Sequence, residues 1–419
     1  MTEPRAGYEA FARRVVESGL LTDPWVEGAP RFREEPVVVT SAEQRALYRA
    51  AEDVAAVYDE LCSLVAARPA LLDDFFGLTP WQKAMWLSSA PLWHGLARAD
   101  LFMTNEGDGS GLAVAELNCD TPTGEAEAVV LSALAAEARP GAVDPNRELG
   151  DRFCDMVGVL GARLVDGPRK PSVGFVYPTE FTEDLPLVRL YRRWLEERGY
   201  EVVLGSPYNL RHGADGLLLF ERPFSILLRH YKTDWWGERA SVWDDERIAD
   251  AEALVGPLGA ALTASVERRA AVVNPFGAVL PQNKRAMAFM WEHLADFSPR
   301  AREIIRAHVP VSARLETTPR DELARERAQW VIKSDYGAEG DEVILGRAVT
   351  DEAWRAALEH ARPGRWIAQR YFAARELAGG ETVNLGVYLV AGEAAGLYAR
   401  LQVGATDARA VSAPVIVEG

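Results

Sequence analysis

Lysine, cysteine and histidine are all scarce in this 419-residue chain. Of its 46 basic residues only five are lysines, namely Lys83, Lys170, Lys232, Lys284 and Lys333. Because the two cations differ in geometry, a lysine in such a chain marks a position where arginine would not serve equally well. Three cysteines without a CxxC pair argue against a structural zinc site and a disulfide framework. The six histidines show neither HExxH nor HxH spacing, so the common zinc-enzyme pattern is missing.

The chain also lacks an excess of basic charge, long apolar runs and two common enzyme motifs. Acids outnumber bases 62 to 46, and the formal net charge of −16 argues against nucleic acid or an anionic membrane as a partner. The N-terminus is polar and charged, and no stretch approaches the roughly 18 apolar residues of a membrane span. A reducing cytoplasm is therefore the expected location. Neither a GxSxG elbow nor a GxGxxG loop after the first parallel strand is found, so serine-hydrolase and dinucleotide-binding functions have no direct support.

What is present is a globular composition, with 48% hydrophobic and 26% charged residues. Apolar residues at helical spacing predict a helix over 42–67, and a short apolar run predicts a strand over 112–120. A further helix is predicted to begin with Thr123 as its N-cap and to end at Glu137. We assign these elements to a first unit, residues 1–168.

A strand–helix–strand pattern marks a second unit, residues 169–272. An amphipathic helix is predicted over 183–200. Four strands are predicted at 172–178, 201–207, 216–220 and 225–231. Strand and helix alternating at this spacing are typical of a βαβ unit, so the sequence predicts a small parallel sheet.

The third unit, residues 273–419, combines two helices with a series of strands. The helices are predicted at 283–296 and within 299–308. The strands are predicted at 329–335, 342–346, 366–372, 383–392 and 396–403. The last two should form a hairpin with Gly392-Glu393 at its turn. This pattern predicts an α+β unit with a largely antiparallel sheet, within a chain of mixed α/β class.

Two alternating polar pairs, Arg98/Asp100 and Glu116/Asn118, are the first candidates for chemistry. Residues i and i+2 of a strand point to the same face, so each pair would present two polar groups together. Carboxylate and amide oxygens are ligands that Mg²⁺ prefers, usually shared with substrate phosphates. An arginine beside them suits a developing phosphoryl charge. The alternative is a surface ion pair between Arg98 and Asp100, with a turn at 118–120.

Lys333 ends an apolar strand and is followed by a loop that contains Gly337 and Gly340. Glycines allow the backbone to approach a phosphate closely, and the lysine adds a compact positive charge. Many hairpins also contain such a loop, so this signal is weak by itself. Lys284 opens a predicted helix, where it could face an anion, but an ordinary solvated cation is the simpler interpretation of its local sequence.

Gln369 and Arg400 lie on predicted strands of the third unit. The strand that carries Gln369 could offer its backbone to an adenine edge, or Gln369 could be a polar residue on an edge strand. Arg400 lies on an otherwise apolar strand and therefore needs a charged partner or a ligand, because burying an unpaired charge is costly.

Taken together, these segments resemble the synthetase domain of glutathionylspermidine synthases and, more broadly, the circularly permuted ATP-grasp carboxylate–amine ligases. The matching text is RAD (98–100), AELNCDTPTGEAEA (115–128), NPFGAVLPQNKRAMAFMW (274–291), WVIKSDYGAEGDEVILG (330–346), WIAQRYF (366–372) and VNLGVYLVAGEAAGLYAR (383–400). The carboxylates precede the lysines along the chain, which is the permuted order. The resemblance implies a circularly permuted ATP-grasp fold with a small parallel-sheet pre-ATP-grasp substrate domain.

The resemblance also implies a reaction and a role for each matching residue. ATP would phosphorylate a carboxylate of a small molecule or peptide, and an amine would attack the acyl phosphate. The implied roles are Mg²⁺ binding for Asp100, Glu116 and Asn118, phosphoryl stabilisation for Arg98, phosphate contacts for Lys284 and Lys333, a covering loop at Gly337 to Gly340, adenine contact for Gln369 and the acyl-phosphate site for Arg400. Related ligases are monomers or homodimers.

The chain departs from the family pattern in its covering loop and in its length. Gly337-Ala-Glu-Gly340 replaces the usual Gly-Arg-Glu-Gly, and Ser334-Asp335 replaces the usual Lys-Pro. The amidase domain of the bifunctional enzymes has no counterpart. A polyamine acceptor would require acids, for which Asp234, Asp244, Asp245 and Glu246 are candidates. The simpler interpretation of those acids is a helix N-terminus enriched in acidic residues.

Two other functional classes remain open from the sequence. One is a degenerate ATP-grasp protein that binds a nucleotide without ligation. The other is a carbohydrate-active enzyme, suggested by 12 tryptophans and many acids. No carboxylate pair stands out by its spacing for the second class, and tryptophans are more often part of a core.

Overall fold

A computed structural model describes residues 5–105, 111–166, 171–213, 216–238, 254–337, 342–404 and 410–419. The helices in these ranges are α1 (Arg5–Glu17), α2 (Ser41–Ala66), α3 (Leu71–Asp74), α4 (Pro80–Ser89), α5 (Glu125–Ala138), α6 (Leu149–Leu164), α7 (Leu185–Glu197), α8 (Trp235–Glu238), α9 (Val255–Val266), α10 (Val279–Gln282), α11 (Arg285–Glu292), α12 (Pro299–His308), α13 (Arg320–Arg325) and α14 (Asp351–His360). The strands are β1 (Trp25–Val26), β2 (Ala29–Pro30), β3 (Val37–Thr40), β4 (Leu96–Met103), β5 (Leu112–Asn118), β6 (Ser172–Val176), β7 (Glu201–Gly205), β8 (Leu210–Gly213), β9 (Gly216–Leu219), β10 (Arg222–Phe224), β11 (Ile226–Arg229), β12 (Ala271–Val273), β13 (Ser312–Arg314), β14 (Trp330–Ser334), β15 (Val343–Leu345), β16 (Trp366–Arg370), β17 (Glu381–Val390), β18 (Glu393–Val403), β19 (Val411–Ala413) and β20 (Val415–Glu418).

The predicted parallel sheet is present, in the order β12-β11-β6-β7. Helix α7 connects β6 to β7, as expected for a βαβ crossover. The assignment of 216–220 to this sheet is wrong, because β9 lies in a separate antiparallel sheet, β10-β9-β8. Its short connections to β8 and β10 favour hairpins, whereas a parallel neighbour requires a longer crossover.

A five-stranded antiparallel sheet, in the order β19-β18-β17-β4-β5, joins the two ends of the chain. Strand β4 pairs with β17, so Asp100 lies opposite Gly386, although more than half the chain separates them. The early β4–β5 hairpin therefore completes a sheet whose other strands come from the third unit. The positions of the unit boundaries at 168/169 and 272/273 stay predictions.

The third unit contains a second antiparallel sheet, in the order β13-β16-β14-β15, which confirms its antiparallel character. This sheet has a small core of its own that includes Leu323, Ile332 and Trp354. The core of the larger sheets contains further aromatic side chains, and Trp86, Trp93 and Trp236 are almost completely buried there. These tryptophans contribute to packing and offer no flat platform for a sugar ring.

Several predicted elements differ from the structure at their ends. The predicted helix 283–296 is shorter, because α11 ends at Glu292 and one 3₁₀ turn, Leu294–Asp296, follows. The hairpin turn is Ala391-Gly392, one residue earlier than predicted, and both residues have positive φ. Primed two-residue turns require positive φ at both central positions, which accounts for the shift.

No helix in the described part of the chain is long and apolar enough to cross a membrane.

The N-cap of α5 is Gly124 and not Thr123. Gly124 has φ +93°, a left-handed conformation that glycine adopts without strain. It also packs face-on against Tyr398, since a Cβ built at this position would lie 2.6 Å from the ring. The backbone of Thr123 is then free to accept hydrogen bonds at its carbonyl oxygen from Arg98 Nη1 (2.6 Å) and from the Tyr388 hydroxyl (3.2 Å).

We expect Gly124→Ala to destabilise the protein by about 2–5 kcal/mol. The left-handed backbone contributes about 1–2 kcal/mol, and the clash with Tyr398 adds about 1–3 kcal/mol. Urea unfolding of purified protein measures the change. Gly28→Ala is the matched control, because Gly28 has φ +78° but no neighbour within 4 Å of a built Cβ. Equal losses in both variants would contradict a packing role for Gly124.

Candidate active site

The β4–β5 hairpin carries the four polar residues that alternate in the sequence. Asp100 lies opposite Glu116 and Arg98 opposite Asn118, so antiparallel pairing brings the two predicted pairs side by side. The ladder shifts register directly after Asp100, where β5 contains an extra residue. Bulges of this kind re-aim side chains near functional sites.

Asp100 is the centre of a buried ion cluster. Its carboxylate accepts hydrogen bonds from Arg98 Nε (2.6 Å) and Nη2 (3.0 Å), from Arg400 Nη2 (3.0 Å) and from Asn384 Nδ2 (3.3 Å). Arg98 and Asp100 do pair, as the alternative interpretation proposed, but the pair is buried and not on the surface. Burial opposes the charge of Arg98, yet the Asp100 carboxylate raises the pKa of this guanidinium above its ordinary value.

Glu116 is the centre of a second ion cluster, which contains both predicted lysines. Its carboxylate lies 3.3 Å from Lys284 Nζ and accepts a hydrogen bond from Asn118 Nδ2 (3.2 Å). Burial acts against ionisation of Glu116, but Lys284 and then Lys333 together lower its pKa to about 2. Burial lowers the pKa of Lys333 to about 8, and the Glu116 carboxylate limits that decrease.

The two lysines also connect the glycine loop to the sheet. Lys284 Nζ donates to the carbonyl oxygen of Gly337 (2.6 Å), and Lys333 Nζ donates to that of Ala115 (3.2 Å). Lys284 is only 5% exposed, so its interpretation as a solvated cation is wrong. The reason is its backbone, which is fixed by a hydrogen bond to Asp335 O (2.8 Å) and places the side chain inside.

Gln369 is buried on β16, which has hydrogen-bonded neighbours on both sides and is not an edge strand. The backbone of this strand is therefore occupied within the sheet, and an adenine would have to meet the side chain. The Gln369 amide donates to Ser312 Oγ (3.0 Å) and contacts Met287 Sδ (3.6 Å).

A single cavity of about 1220 Å³ gathers most of the predicted residues. Those that line it are Arg98, Asp100, Glu116, Asn118, Lys333, Gly337, Gln369 and Arg400. Lys284 does not line the cavity, and reaches it through its contacts with Glu116 and Gly337. Gly340 lies outside the described residues, as do Asp244, Asp245 and Glu246.

The donor set of this cavity fits a hard divalent cation. Asp100, Glu116 and Asn118 supply carboxylate and amide oxygens, the ligand type that Mg²⁺ prefers. Asn384 Oδ1 is buried beside Asp100 and has no hydrogen-bond partner among the described residues. An orphaned buried acceptor next to a carboxylate is the expected state of a cation ligand. The described residues contain no cluster of three or more histidines, cysteines or acids, and Mg²⁺ sites commonly use one or two carboxylates with water and phosphate oxygens.

The opposite wall of the cavity comes from the parallel-sheet unit, and of its residues the sequence had singled out only Asp234, as a candidate acid for an amine. The residues on this wall include Pro178, Phe181, Glu183, Asp184, His230, Lys232, Asp234 and Trp235. They follow the ends of β6 and β11, and ligands of open parallel sheets bind outside these carboxyl ends. The predicted strand ends at 178 and 231 were therefore the sequence signal that could have located this wall.

Asp120 connects the two walls. Its Oδ2 accepts hydrogen bonds from the backbone N (2.7 Å) and Oγ1 (3.1 Å) of Thr233, and its Oδ1 lies 2.6 Å from Arg229 Nη2. Gln282 Oε1 accepts from the backbone N of Asp120 (3.0 Å), and Asn274 Nδ2 donates to its carbonyl oxygen (3.0 Å). These contacts fix the end of the Glu116–Asn118 strand against the parallel-sheet unit.

This combination of sheets defines a circularly permuted ATP-grasp fold. The chain is similar to the glutathione synthetase-like effector GSS30 from Globodera pallida in its apo form, with a TM-score of 0.63, 12% identity, and coverage of 99% of this chain and 98% of that one. It is also similar to a gamma-glutamylcysteine synthetase-like protein from Methylobacillus flagellatus KT, with a TM-score of 0.46, 14% identity, and coverage of 84% and 86%. The first likeness shows the fold alone, and no curated protein sequence matches the chain.

The family described as "Glutathionylspermidine synthase preATP-grasp" matches residues 9–418. The chain belongs to this family, as its sequence motifs predicted. The family is named for a synthase, which supports an enzyme of the ligase class that acts on small molecules.

Proposed function

We propose that the chain is an ATP- and Mg²⁺-dependent ligase that joins a carboxylate to an amine through an acyl phosphate. The observation that carries this proposal is the pair of neighbouring ion clusters around Asp100 and Glu116, which lie opposite each other on β4 and β5 in one cavity wall. The residues come from three distant parts of the chain, at 98–118, 284–333 and 384–400. Phosphoryl transfer requires such an arrangement, because it depends on positioning and charge neutralisation more than on covalent chemistry by the protein.

Asp100, Glu116 and Asn118 would hold the magnesium ions, with the buried Asn384 Oδ1 as a further oxygen of the same chemistry. Bound Mg²⁺ supplies neutralisation of the phosphate charge that develops during transfer. Arg98 and Arg400, which both contact Asp100 beside this site, would donate to the transferring phosphoryl group.

The lysines provide the fixed positive charge for the nucleotide phosphates. Lys333 lines the cavity directly. Lys284 is better suited to hold Glu116 and the Gly337 carbonyl in place, with a phosphate contact as its predicted second role. Gln369 and the loop from Gly337 to Gly340 keep their predicted roles at the adenine and over the phosphates.

The proposed reaction has two balanced steps. An oxygen of the substrate carboxylate bonds to the γ-phosphorus, and the bond to the β-bridging oxygen breaks with its electron pair left on ADP. The amine nitrogen then bonds to the acyl carbon, and the carbon–oxygen bond to phosphate breaks with its pair left on phosphate. One amine proton leaves for phosphate or solvent. The protein excludes water from the acyl phosphate by enclosing it between the two walls.

The test is release of ADP and phosphate by the purified protein with ATP, Mg²⁺, a panel of acids and hydroxylamine as a general amine, which traps acyl phosphates as hydroxamates. We expect hydroxamate only when ATP, Mg²⁺ and a suitable acid are all present. Calorimetric ATP binding without ADP formation across the panel would favour the nucleotide-binding alternative.

Glu116→Gln probes the metal site in the same assay. The variant keeps the shape of the side chain but removes its charge, so we expect the half-saturating Mg²⁺ concentration to rise about 10-fold or more. Glu303→Gln is the control, because Glu303 is an exposed acid on α12. An unchanged Mg²⁺ requirement in Glu116→Gln would remove this residue from the metal site.

We also place the protein in a reducing compartment such as the cytoplasm. All three cysteines are buried and none forms a disulfide. Secreted domains typically use cysteines as disulfides, so their free state supports a reducing location. A monomer or homodimer stays a prediction.

A further inference from the structure

The wall of the cavity opposite the ATP-grasp sheet contains a recess that is lined by His230, Lys232, Asp234 and Trp235 and by Glu183-Asp184. The charged side chains of this recess are not used by the proposed phosphoryl chemistry. The inference below rests on the proposed ligase function, and concerns the class of amine that this recess accepts.

Charge in the recess is mixed: two of its three acids, Asp184 and Asp234, lie beside a base, and Glu183 is the third. Lys232 Nζ lies 3.4 Å from Asp234 Oδ2, and His230 Nε2 lies 3.4 Å from Asp184 Oδ1. A site for a polycation would be expected to present carboxylates without such partners, since each ammonium group requires its own counter-charge. This recess instead offers a cation and a carboxylate next to each other.

The Lys232–Asp234 pair has unused hydrogen-bonding capacity on both sides. Asp234 Oδ1 is buried and has no hydrogen-bond partner among the described residues. Lys232 has three donors, and among the described residues its ammonium group contacts Asp234 Oδ2, the Tyr336 carbonyl oxygen at a long 3.3 Å, and the Trp235 ring at 5.2 Å from the ring centroid. Burial raises the pKa of Asp234, which is consistent with a carboxylate that lacks a ligand.

The backbone of the recess is held by hydrogen bonds from behind. Asp120 accepts two hydrogen bonds from Thr233, which lies between Lys232 and Asp234. Trp236 Nε1 donates to the carbonyl oxygen of Tyr231 (3.3 Å). These contacts place the backbone from which the cation and the carboxylate project, which reduces the ordering cost of binding.

We propose that the amine substrate of this chain is a free α-amino acid. Its carboxylate binds Lys232 Nζ, and its amino group donates to Asp234 Oδ1. The spacing fits this class, because the two protein groups are only a few ångströms apart, as are the amino and carboxylate groups on one α-carbon. A diamine or polyamine would instead bring a second positive charge to Lys232.

The experiment begins with the hydroxylamine assay, which identifies a working acid without using the natural amine. With that acid, phosphate release is compared for the common α-amino acids, for their carboxamides, and for 1,4-diaminobutane and spermidine. We expect one or more amino acids to be used, and kcat/KM to fall at least about 10-fold for the matching carboxamide, which has lost its charged group. Diamines and spermidine should give less turnover than the best amino acid.

Lys232→Met tests the assigned contact. It should reduce the ratio of kcat/KM for the amino acid over its carboxamide to within about 3-fold of unity. This ratio is measured on one preparation and is therefore independent of the fraction of active protein. Lys83→Met is the matched control, because Lys83 forms a surface ion pair with Asp73 on α3 and does not line the cavity. The control should keep the wild-type ratio.

Each outcome decides one of the two proposals. Hydroxamate formation together with better turnover of spermidine or a diamine, or with no turnover of any amino acid, would overturn the amino-acid assignment alone. An unchanged acid-to-carboxamide ratio in Lys232→Met would overturn the Lys232 contact. Absence of hydroxamate with every acid would overturn the ligase function, and the assignment of its amine with it.

Discussion

Asp100→Asn is expected to lower kcat for ATP-dependent hydroxamate formation by about 1,000-fold. The carboxylate is 1% exposed and has Arg98, Arg400 and Asn384 as partners. An amide at this position keeps the shape, but cannot balance two guanidinium groups or hold a divalent cation as strongly. Loss of one partner from a buried ion pair also costs about 3–5 kcal/mol, so the free energy of unfolding should decrease.

Activity and stability can be separated in this variant. Urea unfolding measures the free energy of unfolding of the variant. The activity assay is run at a temperature at which most of the variant is folded. Asp73→Asn is the control, because its carboxylate forms an exposed pair with Lys83 at 2.7 Å. Exposed pairs contribute about 0–1 kcal/mol, so both readouts should stay near wild type. Wild-type turnover in folded Asp100→Asn would show that the proposed metal and phosphoryl site is wrong.

The second large effect concerns the charge of Lys333, whose pKa burial lowers to about 8. Below that pH the side chain is an ammonium ion that can bind phosphate, and above it the proton is lost. We therefore expect kcat/KM for ATP to decrease above about pH 8 with a slope of one proton, because this parameter reports the free enzyme. In kcat the decrease should move to higher pH, since bound phosphates stabilise the ammonium form.

Lys333→Met should lower kcat/KM for ATP about 100-fold or more at pH 7, through loss of a buried charge-assisted contact. Lys333→Arg is the informative comparison. Arginine stays charged throughout this range, so the decrease near pH 8 should disappear even though its different geometry reduces the rate. An alkaline decrease that persists unchanged in Lys333→Arg would assign the titration to another group.

Local patterns predicted the elements of this site better than their surroundings. Glu116 and Asn118 lie on a strand that was predicted, and Arg98 and Asp100, whose alternation is typical of a strand, lie on β4. Alternation is a short-range property and is visible in a few residues. The pairing of β4 with β17 depends on residues far away in the chain. Only the family resemblance indicated the permuted order of these segments.

Burial was the property that the sequence predicted least well. The sequence around Lys284 indicates a cation at the start of a helix. No neighbouring residue in the sequence indicates that Lys284 contacts Glu116 and the Gly337 carbonyl oxygen. In the recess, Asp234 was a candidate acid, but Lys232 beside it was not predicted, for the same reason. The recess forms because Arg229 and Thr233, at and after the end of β11, contact Asp120. These contacts join residues about 110 positions apart in the chain.

The position of β4 in the middle of the five-stranded sheet has a consequence for biosynthesis. During translation β4 leaves the ribosome long before its partner β17, with roughly 280 residues between them, which takes on the order of 15–60 s at typical elongation rates. Until then, only β5 covers one edge of a strand whose residues are almost all buried in the finished sheet. Nascent chains of this protein should therefore depend on chaperones more than their stable final form suggests.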